Sequence, residues 1–257
     1  MAWGAPVNGW VEFSEELARW HDAGKIVEFW WRDDDARLPT ADLDRLLRLS
    51  ANRGVPLALA VIPEGAEPQW LAELPRTVGV LQHGTDHRNR AANGEKKTEF
   101  PGREGVGAVA DRLTQGRVTL ERLAGAHFVP ALAPPWNRLA EELRPALLRA
   151  GLRGLSQFKP RPAARPLEGL RQVNTHVDLV AWRDGRGFVG EDAALDGAVR
   201  HLAARRVGDC DTDEPTGWLS HHACHGEDTW TFLERLFDAT QTQPGVRWRT
   251  AKDLFSP

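Results

Sequence analysis

Three consecutive carboxylates, Asp33, Asp34 and Asp35, follow the apolar, aromatic run Ile-Val-Glu-Phe-Trp-Trp at 26–31, with Arg32 between. Adjacent like charges repel and raise each other's pKa. A cation is the simplest partner that makes such a strand end tolerable. Further along, His83 and His87 stand in a His-x3-His spacing (His-Gly-Thr-Asp-His), and His221 and His222 follow Leu219-Ser220. One carboxylate and two imidazoles make three protein ligands and leave a position for water, the count of a catalytic rather than a structural zinc site. With a further histidine as proton donor, these are the parts of a metal-assisted hydrolase. The intervening Gly84-Thr85-Asp86 separates the pair from the His-Glu-x-x-His of zinc proteases.

These groups need elements that bring them together. The 257 residues carry a net charge of −3 with scattered basic side chains, which excludes the basic footprint of a nucleic-acid binder. Cys210 and Cys224 form no Cys-x2-Cys pair, and Cys224 has no paired base. No apolar run of about 18 residues occurs, and the N-terminal Met-Ala-Trp-Gly-Ala-Pro has no signal-peptide pattern. A soluble, cytoplasmic protein with no membrane partner is therefore expected. Eleven Trp and no Tyr mean that no phenol can serve as catalytic acid. From residue 25 onward, short apolar runs alternate with amphipathic ones, the pattern of parallel strands and crossover helices. Strands are expected near 26–31, 55–62, 78–81, 127–132, 152–158, 173–179 and 217–220. Helices are expected near 40–53 (Thr40 as N-cap), 67–74, 106–124, 138–150, 191–206 and 228–240. Segments 88–103 and 160–166 read as loops, too short to link two domains. A single domain over 1–257, with its core at about 25–255, follows. All four polar clusters, at 33–35, 83–87, 133–137 and 221–222, then lie at C-terminal strand ends, where parallel α/β folds bind ligands. His21, His127 and His201 have no polar neighbours of this kind and read as structural, and His225 reads as a supporting or surface residue.

Trp31-Arg-Asp-Asp-Asp-Ala36, His83-Gly-Thr-Asp-His87, Ala133-Pro-Pro-Trp-Asn137 and Leu219-Ser-His221 resemble, in order and spacing, the motifs of the polysaccharide deacetylase family, the NodB-homology or carbohydrate esterase 4 domain. The resemblance covers about 25–255, including a closing strand and turn at 246–254. It implies an α/β fold, a distorted (β/α)7 TIM-like barrel, that removes N- or O-acetyl groups from carbohydrates with a divalent metal, zinc first. Carried over motif by motif, Asp33 becomes the general base, Asp34, His83 and His87 the metal ligands, and His221 the general acid. Asp35 stands where the family has Gly, so Asp34 and Asp35 form the alternative pair. Pro135, Trp136, Asn137, Trp182 and His222 become the substrate contacts, and a backbone N–H near 135–137 the oxyanion donor. His176-Val-Asp178 with Trp182 is the counterpart of the fourth motif.

Two departures bear on mechanism. Gly84 replaces the family's Ser or Thr, and Ala133 replaces an Arg that pairs with the base, a place Arg32 or Arg138 could fill. The expected partner is a small carbohydrate or amide. A hydrolase of another cyclic or linear C–N bond, or a catalytically silent carbohydrate-binding protein, remain the alternatives, and the sequence sets no oligomeric state.

Overall fold

In the computed structural model, which describes residues 9–255, the short apolar runs form one curled, all-parallel sheet. Its strands are β1 (Val27–Ala36), β2 (Leu57–Val61), β3 (Val78–Gln82), β4 (Phe128–Leu132), β5 (Gly154–Leu155), β6 (Arg171–Gln172), β7 (Val177–Asp178), β8 (Thr216–Ser220) and β9 (Val246–Trp248). The helices are α1 (Gly9–Asp22), α2 (Ala41–Arg53), α3 (Pro68–Ala72), α4 (Val106–Ala124), α5 (Arg144–Arg149), α6 (Glu191–Val207), α7 (Glu227–Gln241) and α8 (Ala251–Phe255). Strand order is β6-β5-β4-β3-β2-β1-β8-β7, and β9 pairs with the first residues of β1. Only residues 173–176 separate β6 from β7, so the chain itself joins the two ends of the sheet path. This is the distorted (β/α)7 barrel expected from the sequence.

Alternation along the strands sorts side chains onto two faces. Trp30 of β1 shares a buried cluster with Ala58, Ala60, Leu81, Ala131 and Ala133, and with Leu254 and Phe255 of α8, on the concave side. The alanines leave room for the indole, whose Nε1–H donates to the Asn174 carbonyl at 3.0 Å. Gly217 completes the accommodation, because a methyl group there would overlap the Trp30 ring nitrogen and the backbone at 174–175. Phe29 and Trp31 point the other way, into a larger core with α1, α2, α6 and α7. Arg32 and Asp34 therefore continue the concave face of Trp30, and Asp33 the convex face of Trp31.

Helix α2 has the expected cap, with the Thr40 side chain accepting from the Leu43 N–H, and ends at Gly54 with φ 61°. Other elements differ from expectation. Helix α1 precedes the first expected element and buries Phe13, Leu17 and Trp20, with the Trp20 Nε1–H donating to the Leu202 carbonyl of α6. The helix expected over 138–150 contracts to a 3-10 turn at Glu141–Leu143 and to α5, which has Pro in its first turn. The strand expected at 173–179 is divided, with residues 173–175 bonded to the 155–159 segment and β7 paired with β8 after the His176 N–H turns to the Gly217 carbonyl.

Candidate active site

The three aspartates share one strand end and have three different environments. Asp34 is 2% exposed and lies on the concave face beside Arg32, which is fully buried. The guanidinium engages it twice, Nε to Oδ1 at 2.8 Å and Nη2 to Oδ2 at 2.9 Å. Residues two apart on a strand point the same way, so Arg32 is a natural partner for Asp34. Ser156 holds the other guanidinium nitrogen through its carbonyl (3.1 Å) and hydroxyl (2.6 Å), and the Asn137 Oδ1 accepts from Nη2 at 2.5 Å. Arg138 instead donates to the Lys97 carbonyl. Of the two arginines expected near this site, it is thus Arg32 of β1 that lies on an aspartate of the triplet.

Asp33 faces the convex side, fully buried, where its carboxylate accepts from the Ser220 hydroxyl (2.6 Å), the His222 N–H (2.9 Å) and the His222 Nδ1 (2.5 Å). Burial alone would raise its pKa, but the charge and hydrogen bond of His222 hold it below the usual carboxylate value. Burial likewise opposes the charged form of His222, and Asp33 outweighs it, raising the imidazole pKa. His222, expected at the substrate, is 4% exposed and turned away from the concave site. His225 lies behind it, edge-on to Trp230, with burial lowering its pKa to about 4.

Strict alternation would put Asp35 beside Asp33. It does not, because the register of β1 on β2 shifts between Asp33 and Ala36 and Asp35 takes a left-handed φ of 71°. The carboxylate swings to the two histidines instead. Its Oδ1 lies 3.0 Å from His83 Nε2 and 3.1 Å from His87 Nε2. Burial would raise the Asp35 pKa, yet both imidazoles hold it far below the ordinary range. His83, at the end of β3 on the face of Leu81, has its pKa raised against burial by Asp34 and Asp35. Of the three aspartates it is therefore Asp35, the alternative member of the pair, that lies beside His83 and His87, with Asp34 next to it on Arg32.

Two imidazole Nε2 atoms and a carboxylate oxygen converging within 4.8 Å suit a divalent first-row metal. A second group, His176, His201 and Glu214, does not. The Gly217 N–H donates to His176 Nδ1 at 2.9 Å, which leaves the ring proton on Nε2. The His176 and His201 rings stack face to face at 3.4 Å and 15°, so no ion can lie in the plane of both. Burial pushes His201 down to about 2 and Glu214 up to about 7, and the Glu214 oxygens already accept from the Arg161 and Asn174 N–H groups in this buried cluster behind β8.

His221, at the end of β8, is 7% exposed and packs edge-on against Trp182 at 4.8 Å. Trp182 in turn donates to Asp178 at 2.7 Å, and burial raises the pKa of Asp178 against the charge of His221. Across the site the Trp136 ring lies 4.6 Å from His87. Trp136 and Asn137 have φ of 56° and 57°, a conformation that lets Asn137 reach Arg32. Pro135 is buried against the turn at Gly84. Ser156, Ser220 and Glu99 carry no role in the sequence reading, since a single Ser or Glu has no spacing signal of its own.

No family sequence model matches the chain, and no curated protein matches it in sequence. Solved structures do. A Mycobacterium smegmatis protein assigned to the polysaccharide deacetylases superposes with a TM-score of 0.60 at 15% identity, over 90% of this chain and 89% of that one. A peptidoglycan deacetylase from Bacillus subtilis gives 0.55 at 14% over 90% of each chain. A carbohydrate esterase 4 enzyme from Streptococcus mutans gives 0.54 at 12% over 88% and 86%. The chain therefore has the NodB-type fold of the carbohydrate esterase 4 deacetylases.

Proposed function

We propose that this protein is a metal-dependent hydrolase that removes an acetyl group from an N- or O-acetylated carbohydrate. One observation carries the reading: Asp35, His83 and His87 converge beside an Arg32-clamped Asp34 on the concave, C-terminal edge of the barrel. The amide- and ester-cleaving enzymes that share the fold support the reaction class.

Asp35, His83 and His87 would hold the metal, with zinc the first expectation. When bound, it supplies the positive charge that polarises an acyl carbonyl and acidifies water. Asp34 takes the proton of the attacking water as the C–O bond forms. Arg32 orients that carboxylate by engaging both of its oxygens. Of residues 135–137, Pro135 has no N–H and the Asn137 N–H already donates to the Pro134 carbonyl. The Trp136 N–H is left as the donor for the tetrahedral oxyanion. His221 then protonates the leaving nitrogen or oxygen as its bond to the acyl carbon breaks, releasing acetate and the free amine or alcohol. The indole of Trp182, 45% exposed beside His221, offers a flat apolar surface for a sugar face. Asp33, expected as the base, instead anchors the segment that carries His221.

The test is metal content and acetate release over a panel of N-acetylated sugars, for wild type, Asp34→Asn and His83→Ala. Wild type is expected to bind one metal and release acetate, and both variants to lose activity. A wild-type protein without stoichiometric metal would sink the proposal. Metal binding without acetate release from any sugar would favour another C–N substrate.

A further inference from the structure

The carboxylate of Glu99 is buried beneath the turn that carries the histidine pair. It lies at the far end of the polar 88–103 segment and is fully excluded from solvent. Its Oε1 accepts from the Thr85 N–H at 2.8 Å, from the Thr85 hydroxyl and from the Asp86 N–H at 3.4 Å. Its Oε2 accepts from the His87 N–H at 3.2 Å. Four donors from three consecutive residues close around one side chain. That segment is itself braced, with the Arg90 guanidinium on Asp86 at 2.6 and 2.8 Å and 3.8 Å from Glu99, and the Arg90 N–H on the Thr98 carbonyl.

The same carboxylate accounts for Gly84. This residue has φ 64°, and a methyl group on it would overlap the Glu99 Oε2 and approach the Pro135 ring to 2.7 Å. A side chain at 84 and a carboxylate at 99 compete for one volume. His87, at the other end of the turn, is held at φ 59°, a conformation costly for a non-glycine residue unless its surroundings enforce it.

We propose that Glu99 is a positioning residue for the metal site. Its buried carboxylate gathers the 85–87 backbone N–H groups and so sets the pitch between His83 and His87, occupying the space that a side chain at position 84 would need. This rests on the reading of Asp35, His83 and His87 as metal ligands. Hydrogen bonds to the ligand side chains themselves are typically worth about 10–100-fold in metal affinity, which sets the scale for a carboxylate that holds the backbone of the ligand turn. Gln at position 99 keeps the Oε1 contacts but turns an NH2 group on the His87 N–H, so it should loosen the His87 end selectively.

The experiment is a competition titration of zinc against a chromophoric chelator, with the visible spectrum of the cobalt-loaded protein and the melting temperature of the metal-free protein, for wild type, Glu99→Gln and Thr85→Val. Glu99→Gln is expected to weaken zinc binding by about 10–100-fold and shift the cobalt bands, with the metal-free protein still folded but melting lower, since the His87 N–H loses its buried acceptor. Thr85→Val, which removes one donor, should weaken zinc less and covers the case in which Glu99→Gln fails to fold. Wild-type zinc affinity and cobalt bands in both variants would overturn the role of Glu99 and leave the metal reading standing. A wild type that binds no zinc would overturn both.

Discussion

Replacing the three aspartates by Asn one at a time separates their roles by measurements that do not depend on each other. Asp33 accepts three hydrogen bonds in a fully buried pair with His222. Asn retains one acceptor oxygen and sets an NH2 group against the remaining donors. Breaking a buried pair costs about 3–5 kcal/mol. At roughly 2–4 °C per kcal/mol for a chain of this size, Asp33→Asn should melt some 6–20 °C lower, and it should still bind zinc. Asp35→Asn removes a ligand from a side chain that is 35% exposed, so the metal-free protein should melt near wild type. Its zinc affinity should fall by more than the roughly 10–100-fold lost with a supporting hydrogen bond. Asp34→Asn should keep zinc and lose about 10²–10⁴-fold in kcat, the usual contribution of a general base. Calorimetric melting in chelator, zinc titration and acetate release read the three effects. If Asp33→Asn lost zinc without melting lower, or Asp35→Asn bound zinc like wild type, the assignment of the triplet would be refuted.

Three further outcomes follow from the same geometry. Arg32→Met leaves Asp34 buried and unpaired and strips Ser156 and Asn137 of a donor, so chemical denaturation should show a loss of about 3–5 kcal/mol and kcat should fall with zinc retained. His221→Ala should lower kcat by about 10²–10⁴-fold without changing zinc stoichiometry, whereas Trp182→Ala should act mainly on KM. His201 is held at about 2, against 6.5 for a free imidazole, so between these values the unfolded chain binds a proton that the native chain does not. Stability contributed at this site is therefore lost as pH falls, and between about pH 7 and pH 5 wild type should lose about 2 kcal/mol more than His201→Gln in denaturant titrations.

Much of the site is legible in the sequence because strand ends are local. An apolar run followed by polar residues marks where a strand leaves the core, and His83, Asp34 and His221 all stand at such a point. His87 is placed by its spacing within one turn. Residue type restricts the chemistry further, since imidazole and carboxylate are hard to assign to a packed apolar core without a partner. The individual roles were less accessible. Arg32 could be named as a partner for the base only as one of two candidates, and its placement rests on Ser156 and Asn137, which reach it from the turns after β5 and β4. Glu99 gives no local signal at all, because its partners at 85–87 are brought to it by the return of a loop.

The triplet shows where the boundary falls. Sequence alone determined that three acids end the first strand of a parallel α/β barrel, that two spaced histidines follow the third, and that a cation between them is the economical explanation. Tertiary structure decided which partner each acid meets. Alternation sends Asp33 outward to His222 and Asp34 inward to Arg32, and it would send Asp35 outward as well. The register shift against β2 and the left-handed φ at Asp35 reverse that direction. Such a reversal depends on the adjoining strand and on the histidines waiting across the edge, neither of which lies within reach of the local chain.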